Sequence, residues 1–236
     1  MTLNLLKETL DMSSPHIIPY LKELQGKNLI QKEGSEYRLT PIGKVVVKKL
    51  KPLIDSFKSF DSNDRFFTEH DLEHIPESLL ERIDELGKCV VIENSFENIT
   101  AAYREVLAKL SISGWIKGFS SIFEVDYPRF FLSLAQNGKP VTLIITKNIY
   151  KKVEKEYPRE MSQFLTCKDS HLYVIDNVPI AFAVTDVFLS LSLCSNNGQF
   201  DALMTLMSFE KSALKWGEEL FEFYKEKSTE IASPLI

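Results

Sequence analysis

The stretch from Asp11 to Ile30, Asp-Met-Ser-Ser-Pro-His-Ile-Ile-Pro-Tyr-Leu-Lys-Glu-Leu-Gln-Gly-Lys-Asn-Leu-Ile, restricts the possible folds more than any other part of the chain. Ile17, Leu21 and Leu24 recur at i, i+4 and i+7 and so share one helical stripe, with His16, Tyr20 and Lys27 at its margin and Lys22 and Glu23 pointing away. One face can pack while another reads a partner. Ser13 or Ser14 can cap the start, Pro15 suits a first turn whose N–H groups lack helical partners, and Gly26 sits near the expected stop. Pro19 is the misfit. Inside a helix it deletes the bond to the Pro15 carbonyl, which predicts a loosened first turn or a helix starting after Ser14.

The flanks extend the pattern. Leu3, Leu6 and Leu10 mark a shorter amphipathic helix, with Asp11-Met12 as the tight connection. Downstream, Leu29–Lys32 and Tyr37–Thr40 read as two strands around the turn Glu33-Gly34-Ser35-Glu36. Helix, turn, helix and hairpin in that order resemble the winged helix-turn-helix of archaeal and bacterial regulators. Any αα-hairpin followed by a β-hairpin shows the same order. Winged domains usually carry one more helix before the pair, so either a truncated N-terminus or a later helix completing the core is expected.

Charge is divided unevenly. The chain carries a net charge of -5 over 236 residues, but residues 1–51 hold nine Lys and Arg against five Asp and Glu, a local +4 that leaves -9 on the rest. A basic end on an acidic body fits a DNA-reading module joined to a part that does not touch DNA, because phosphate attraction is screened within about 10 Å. Lys44, Lys48, Lys49 and Lys51 also read as an ordinary solvated helix face. No apolar run approaches the ~20 residues that span a bilayer, and Met1–Leu10 has no signal-peptide pattern, so a cytoplasmic protein without membrane contact is expected. Cys89, Cys167 and Cys194 are odd in number and form no CxxC pair, which predicts buried reduced thiols.

Thr40-Pro41-Ile42-Gly43 opens a further helix whose apolar stripe, Val45, Val46, Leu50, Leu53, Ile54 and Phe57, continues past Pro52 and suits pairing with a second copy or packing on the chain's own body. Residues 61–71 read as a connector, and Ile75 to Gly87 as one helix ending at glycine. From Lys88 strands and helices alternate: strands at Cys89–Glu93, Trp115–Phe119 and Val141–Ile145, and helices at Ile99–Leu110 (with Ala102, Val106 and Leu110 on one face), Tyr127–Leu134 and Asn148–Tyr157. This predicts a largely parallel sheet covered on both faces. Beyond Leu165 come strands at Leu172–Ile175, Ile180–Val184 and Val187–Leu193, then a closing helix at Phe209–Lys227. The predicted organisation is therefore an α/β chain with a winged helix-turn-helix at 1–51, a helical linker at 52–87, an α/β effector or assembly domain at 88–229 and a tail at 230–236.

Several runs carry a closer resemblance: His70-Asp71-Leu72 with Ile75-Pro76 and Leu79-Leu80-Glu81-Arg82-Ile83, Gly118-Phe119-Ser120, Tyr127-Pro128, Ala183 through Leu193, and Trp216-Gly217-Glu218-Glu219-Leu220-Phe221. Together they resemble the winged-helix regulators of methanogenic archaea called the methanogenesis or filamentation regulatory proteins. The resemblance implies an effector or assembly domain similar to the phospholipase-D-like domain of archaeal sugar-responsive regulators, in a degenerate form. That fold family's catalytic pattern needs a His nucleophile with a Lys two residues on, to hold the phosphoryl group. Here Leu172 and Tyr173 follow His171, and neither His16, His70 nor His74 supplies the pattern, so no enzyme is expected. His70-Asp71-Leu72-Glu73-His74 spells HxxEH, which binds zinc only on a helix and with a third ligand; solvated residues leading into the next helix are the plainer reading, and no metal or cofactor is expected.

The function these features predict is sequence-specific transcriptional regulation of double-stranded DNA by a homodimer, with a small polar effector or dimerisation role for the second domain. The alternative is a scaffold that binds no DNA, or a degenerate phosphodiesterase-like protein. Ser14, His16, Ile18 and Tyr20 are the candidates for base edges, and Lys27, Lys32, Ser35 and Arg38 for phosphates. Ser120, Thr146, Tyr173, Thr185, Asp186 and Ser190, near strand ends, are the candidates for the effector, although Thr185-Asp186 is also ordinary hairpin chemistry; Trp216 reads as a core anchor.

Overall fold

A computed structural model describes residues 1–93, 101–201 and 203–232, and the chain divides into two units, Met1–Phe57 and Lys58–Ile236. In the first unit, α1 (Leu3–Leu10) ends at Asp11 in a left-handed conformation and α2 (Ser14–Gly26) follows at once. Pro19 lies within α2, and the helix begins at Ser14 all the same. The cost of the missing bond is eased because Pro19 lies on the exposed side, where water can reach the freed carbonyl. The left-handed residue that stops α2 is Asn28 rather than Gly26, and the Leu29 N–H reaches back to the Leu24 carbonyl at 2.9 Å.

Strands β1 (Ile30–Glu33) and β2 (Glu36–Leu39) pair antiparallel with Glu33 opposite Glu36, so the turn is the two residues Gly34-Ser35, tighter than the four-residue turn predicted. Met1 and Thr2 line the outer edge of β2: the Tyr37 N–H donates to the Met1 carbonyl at 2.7 Å. Helix α3 (Pro41–Ser62) then runs through Pro52 without a break. Its start is anchored by Thr40, whose hydroxyl accepts from the Gly43 N–H at 3.0 Å and donates to the Asn28 carbonyl at 2.6 Å. The buried apolar side chains of this unit are Ile17 and Leu21.

The second unit takes in residues 58–87, which belong to its core and do not form a free-standing linker. Helix α4 (Asp64–Glu69) supplies Phe66; the helix predicted over 75–87 is instead a short α5 (Glu77–Leu80) and a 3-10 turn at Ile83–Leu86, which together bury Leu79, Ile83 and Leu86. The sheet contains β3 (Cys89–Glu93), β4 (Ile116–Ser120), β5 (Val141–Thr146), β6 (Ser170–Ile175), β7 (Ile180–Thr185), β8 (Leu189–Leu193), β9 (Met204–Ser208) and β10 (Thr229–Glu230), in the order β10-β6-β5-β4-β7-β8-β9-β3. Among the described residues, only the β4–β5 and β5–β6 pairs are parallel. The expectation of a largely parallel sheet therefore holds only for β4, β5 and β6: β7, β8 and β9 follow one another through connections too short for a parallel crossover, and β3 joins antiparallel to β9.

One face of the sheet is covered by α6 (Ala101–Ile112), α7 (Tyr127–Gln136), α8 (Lys147–Glu156) and α9 (Pro158–Thr166), and the other by α10 (Lys211–Glu226) with the segment 66–86. The start of the helix predicted from Ile99, and the side chain of Ala102, lie outside the described residues. Trp216 of α10 is fully buried, and its indole N–H donates to the Leu79 carbonyl at 2.9 Å, which bears out the core-anchor reading. Among the described residues, no helix is long and apolar enough to cross a membrane.

Candidate nucleic-acid surface and ligand cavity

On α2 the packed stripe is Ile17 and Leu21, and the stripe turned to solvent is His16, Tyr20, Glu23 and Lys27. Tyr20 is 60% exposed, and the His16 ring is held by a 2.8 Å hydrogen bond between its Nδ1 and the Ser13 hydroxyl. Ser14 and Ile18, also predicted to reach base edges, are half-buried beside the packed stripe. Among the predicted phosphate ligands, Ser35 is exposed at the hairpin tip and Lys32 is exposed with its ammonium 5.7 Å from the Tyr37 ring centre.

The other two are already engaged. Lys27 pairs with Glu23 at 2.6 Å, which holds the Glu23 carboxyl below its usual range through the hydrogen bond first and the charge second. Arg38 lies between Glu33 at 3.2 Å and Glu36 at 3.1 Å. All of these groups are solvent-exposed, and exposed ion pairs contribute little because water and salt screen them, so a phosphate can displace the carboxylates. The acidic neighbours of Arg38 were visible in the sequence but were missed, because a two-residue turn was needed to bring Glu33 opposite Glu36.

In the second unit the six predicted ligand residues do not converge. Ser120 and Ser190 line a cavity of about 480 Å³; the other four do not. The Thr185 hydroxyl accepts the Val187 and Phe188 N–H groups at 3.1 Å each, so it is used up in the β7–β8 turn, while Asp186 accepts the Gly114 N–H at 2.8 Å. Tyr173 packs on the opposite face of the sheet, and Thr146 is buried at the junction of β5 and α8. Strand ends attract hydroxyl residues for turns and caps as well as for ligands, and here the turns took them.

Two of the histidines are likewise occupied. His70 is extended after the end of α4, with Nδ1 2.7 Å from the Phe66 carbonyl and Nε2 3.1 Å from Asp201, so HxxEH does not lie on a helix and cannot present two imidazoles on one face. His171 is half-exposed on β6 and pairs with Glu230 at 2.9 Å. That hydrogen bond leads the causes that lower the Glu230 carboxyl.

An N-terminal unit of two helices, a hairpin and a long helix, joined to an α/β unit with a mixed eight-stranded sheet, defines the class of protein. Residues 99–227 match the family model for the middle domain of methanogenesis regulatory protein FilR1, and the chain belongs to that family. It is 26% identical to methanogenesis regulatory protein FilR1 of Methanothrix harundinacea (strain 6Ac) over 98% of its own length, and it spans about half (53%) of that relative. Among solved structures, TrmBL2, described as an archaeal chromatin protein with a novel mode of DNA binding, is 14% identical with a TM-score of 0.50, over 94% of this chain and 84% of that one. Nuc of Salmonella typhimurium, a phospholipase D family member, is 12% identical with a TM-score of 0.42, over 62% of this chain and 100% of that one.

Proposed function

We propose that this regulatory-family member is a sequence-specific DNA-binding transcriptional regulator. In this reading the first unit is a winged helix-turn-helix and the second senses a small molecule. The observation that carries it is the exposed stripe His16, Tyr20 and Lys27 on α2, flanked by a hairpin that presents Lys32, Ser35 and Arg38. A helix packed by one face with a free opposite face, and cations beside it, is what entry into a major groove requires. His16 and Tyr20 are assigned to base edges, and Lys27, Lys32 and Arg38 to phosphates.

The active form is assigned as a homodimer through α3. Val46, Leu50, Leu53 and Phe57 are exposed at spacings of four, three and four residues, the repeat of a coiled-coil seam. A dimer of this kind recognises paired half-sites about one helical turn apart.

The test is salt-dependent binding to the DNA upstream of the protein's own gene. Arg38→Ala is expected to weaken binding to all sequences and to lower the salt slope by about 1 per subunit, the effect of one lost phosphate contact. Changed sequence preference with intact nonspecific affinity would refute this assignment of the hairpin.

A further inference from the structure

The cavity in the second unit owes its existence to three adjacent strands. Gly118 of β4 stands opposite Ala183 of β7, and Ala183 opposite Ser190 of β8; one step along, Ala181 stands opposite Ser192. Small side chains in register across β4, β7 and β8 leave a hollow between the sheet and the covering helices, which wall it with residues such as Val106, Phe131, Met161 and Phe164. Its volume of about 480 Å³ falls within the range of small-molecule sites.

The lining specifies a chemistry. Among the described lining residues there is no Lys, Arg or His, and the ionisable acids there are Glu124, Asp126 and Glu160. Two cations that contact lining residues are already engaged there: Arg129 pairs with Glu160 at 3.3 Å and Lys152 lies 4.1 Å from the Phe123 ring centre. A carboxylate or phosphate would therefore be desolvated against apolar walls and repelled by acids, with no cation to offset the cost. Of two hydroxyls that line the cavity, one has no hydrogen-bond partner among the described residues. The Tyr103 hydroxyl is buried and unpaired, and Ser190, 4% exposed, lines the floor of the cavity on β8. Buried hydroxyls are ordinarily satisfied.

We infer that this cavity takes an uncharged, mainly aliphatic or flat apolar molecule bearing one or two hydroxyl or carbonyl groups, which the Tyr103 and Ser190 hydroxyls bind. This names the ligand class for the sensing unit proposed above and rests on that reading only for its regulatory consequence. It replaces the small polar effector expected from the sequence.

The experiment uses the full chain and the neutral fluorophore N-phenyl-1-naphthylamine, displaced by 1-decanol or by decanoate at pH 8. One bound fluorophore per chain is expected, with decanol displacing it at least tenfold more effectively than decanoate. Ala183→Leu, which fills the hollow, is expected to cut fluorophore affinity at least tenfold. Ser190→Ala, a change small enough to keep the fold, is expected to leave the fluorophore bound and to weaken decanol about fivefold, the effect of one neutral hydrogen bond. Equal displacement by decanoate, or decanol binding unchanged in folded Ser190→Ala, would overturn the inference. Decanol binding that leaves DNA affinity unchanged supports the cavity assignment and removes the sensing role. A charged metabolite that displaces the fluorophore and alters DNA affinity keeps the sensing role and overturns the ligand class.

Discussion

Gly43→Ala separates helix propensity from close packing, because the two give opposite signs. Gly43 is in the first turn of α3, where propensity alone predicts that alanine stabilises by about 1 kcal/mol. A Cβ built there, however, falls 1.9 Å from the Leu29 carbonyl oxygen and 2.9 Å from its carbon. These are backbone atoms, and no side-chain rotation relieves them. The start of α3 must move off Leu29 by more than an ångström. That movement breaks the Thr40 N–H bond to the Leu29 carbonyl at 3.0 Å and the Thr40 hydroxyl bond to the Asn28 carbonyl at 2.6 Å, and it disturbs the cap on Gly43.

Two net hydrogen bonds at about 1 kcal/mol each and a cap at about 1 kcal/mol outweigh the propensity gain and leave a net loss of about 2 kcal/mol. With Ile17 and Leu21 as its buried apolar side chains, the first unit has little to absorb such a loss. The assay is amide hydrogen exchange of residues 17–21 and 30–39 in the full chain, which reads opening of the first unit without requiring the second to unfold. Exchange about 30-fold faster is expected, from about 1.4 kcal/mol per factor of ten, together with a parallel loss of DNA affinity. Slower exchange in Gly43→Ala would show that the close approach is not enforced and would refute the reasoning.

Three further outcomes follow from buried groups and the exposed helix face. Burial pushes the Cys89 thiol up to about 12, opposed by a hydrogen bond with Ser208, so at pH 8 only about one thiol in ten thousand is ionised. Iodoacetamide should modify Cys89 at pH 8 only after urea unfolding. Because the shift is upward from 9.0, the neutral thiol's contribution to stability is whole below pH 9 and is lost as pH rises towards 12, which urea midpoints across that window check. Trp216→Ala removes a fully buried indole and its bond to the Leu79 carbonyl and should cost ~3–5 kcal/mol in urea titration of the second unit; a loss under ~1 kcal/mol would contradict its role as anchor. Leu53→Asp on the α3 seam should turn a particle of twice the 27.1 kDa chain mass into a monomer in light scattering, and a dimer that persists would place the interface elsewhere.

Sequence periodicity revealed the elements whose signals are local. Helices α1 and α2, the hairpin, α10 and strands β3 and β5 each carry an apolar stripe, a turn dipeptide or a β-branched run, and each lies where the pattern put it to within a few residues. Strand β9, Met-Thr-Leu-Met-Ser, was missed because it is buried throughout and so shows no alternation. The strand order was also beyond reach. It depends on which chain segments meet after hairpin formation, and it places β3, first of the sheet strands in sequence, at an edge beside β9. The polar site residues failed for a related reason: a Thr-Asp pair at a strand end reads the same whether it serves a turn or a ligand, and only the bonds to Val187, Phe188 and Gly114 decide between them.

The cavity, by contrast, has a sequence correlate that becomes legible once the register is known. Each of the strands β4, β7 and β8 alternates a bulky residue with a small one: Phe119 beside Gly118, Phe182 between Ala181 and Ala183, Leu191 between Ser190 and Ser192. The bulky set faces α10, where packing is close enough that a Cβ on Gly217 would come within 2.7 Å of Leu189 and 3.1 Å of Val184. The small set faces the other way and leaves the hollow. The α10 face of the sheet is closely packed around Trp216 and Phe221, and the opposite face has an apolar core of its own around Val141, Phe188 and Met207. With a core on each face, the unit can keep a space of ligand size on one of them and still bury enough apolar surface to fold. Small residues placed in register on one face of strands whose other face is bulky are thus a positive feature of the sequence, and a sheet packed only for stability would have no use for them.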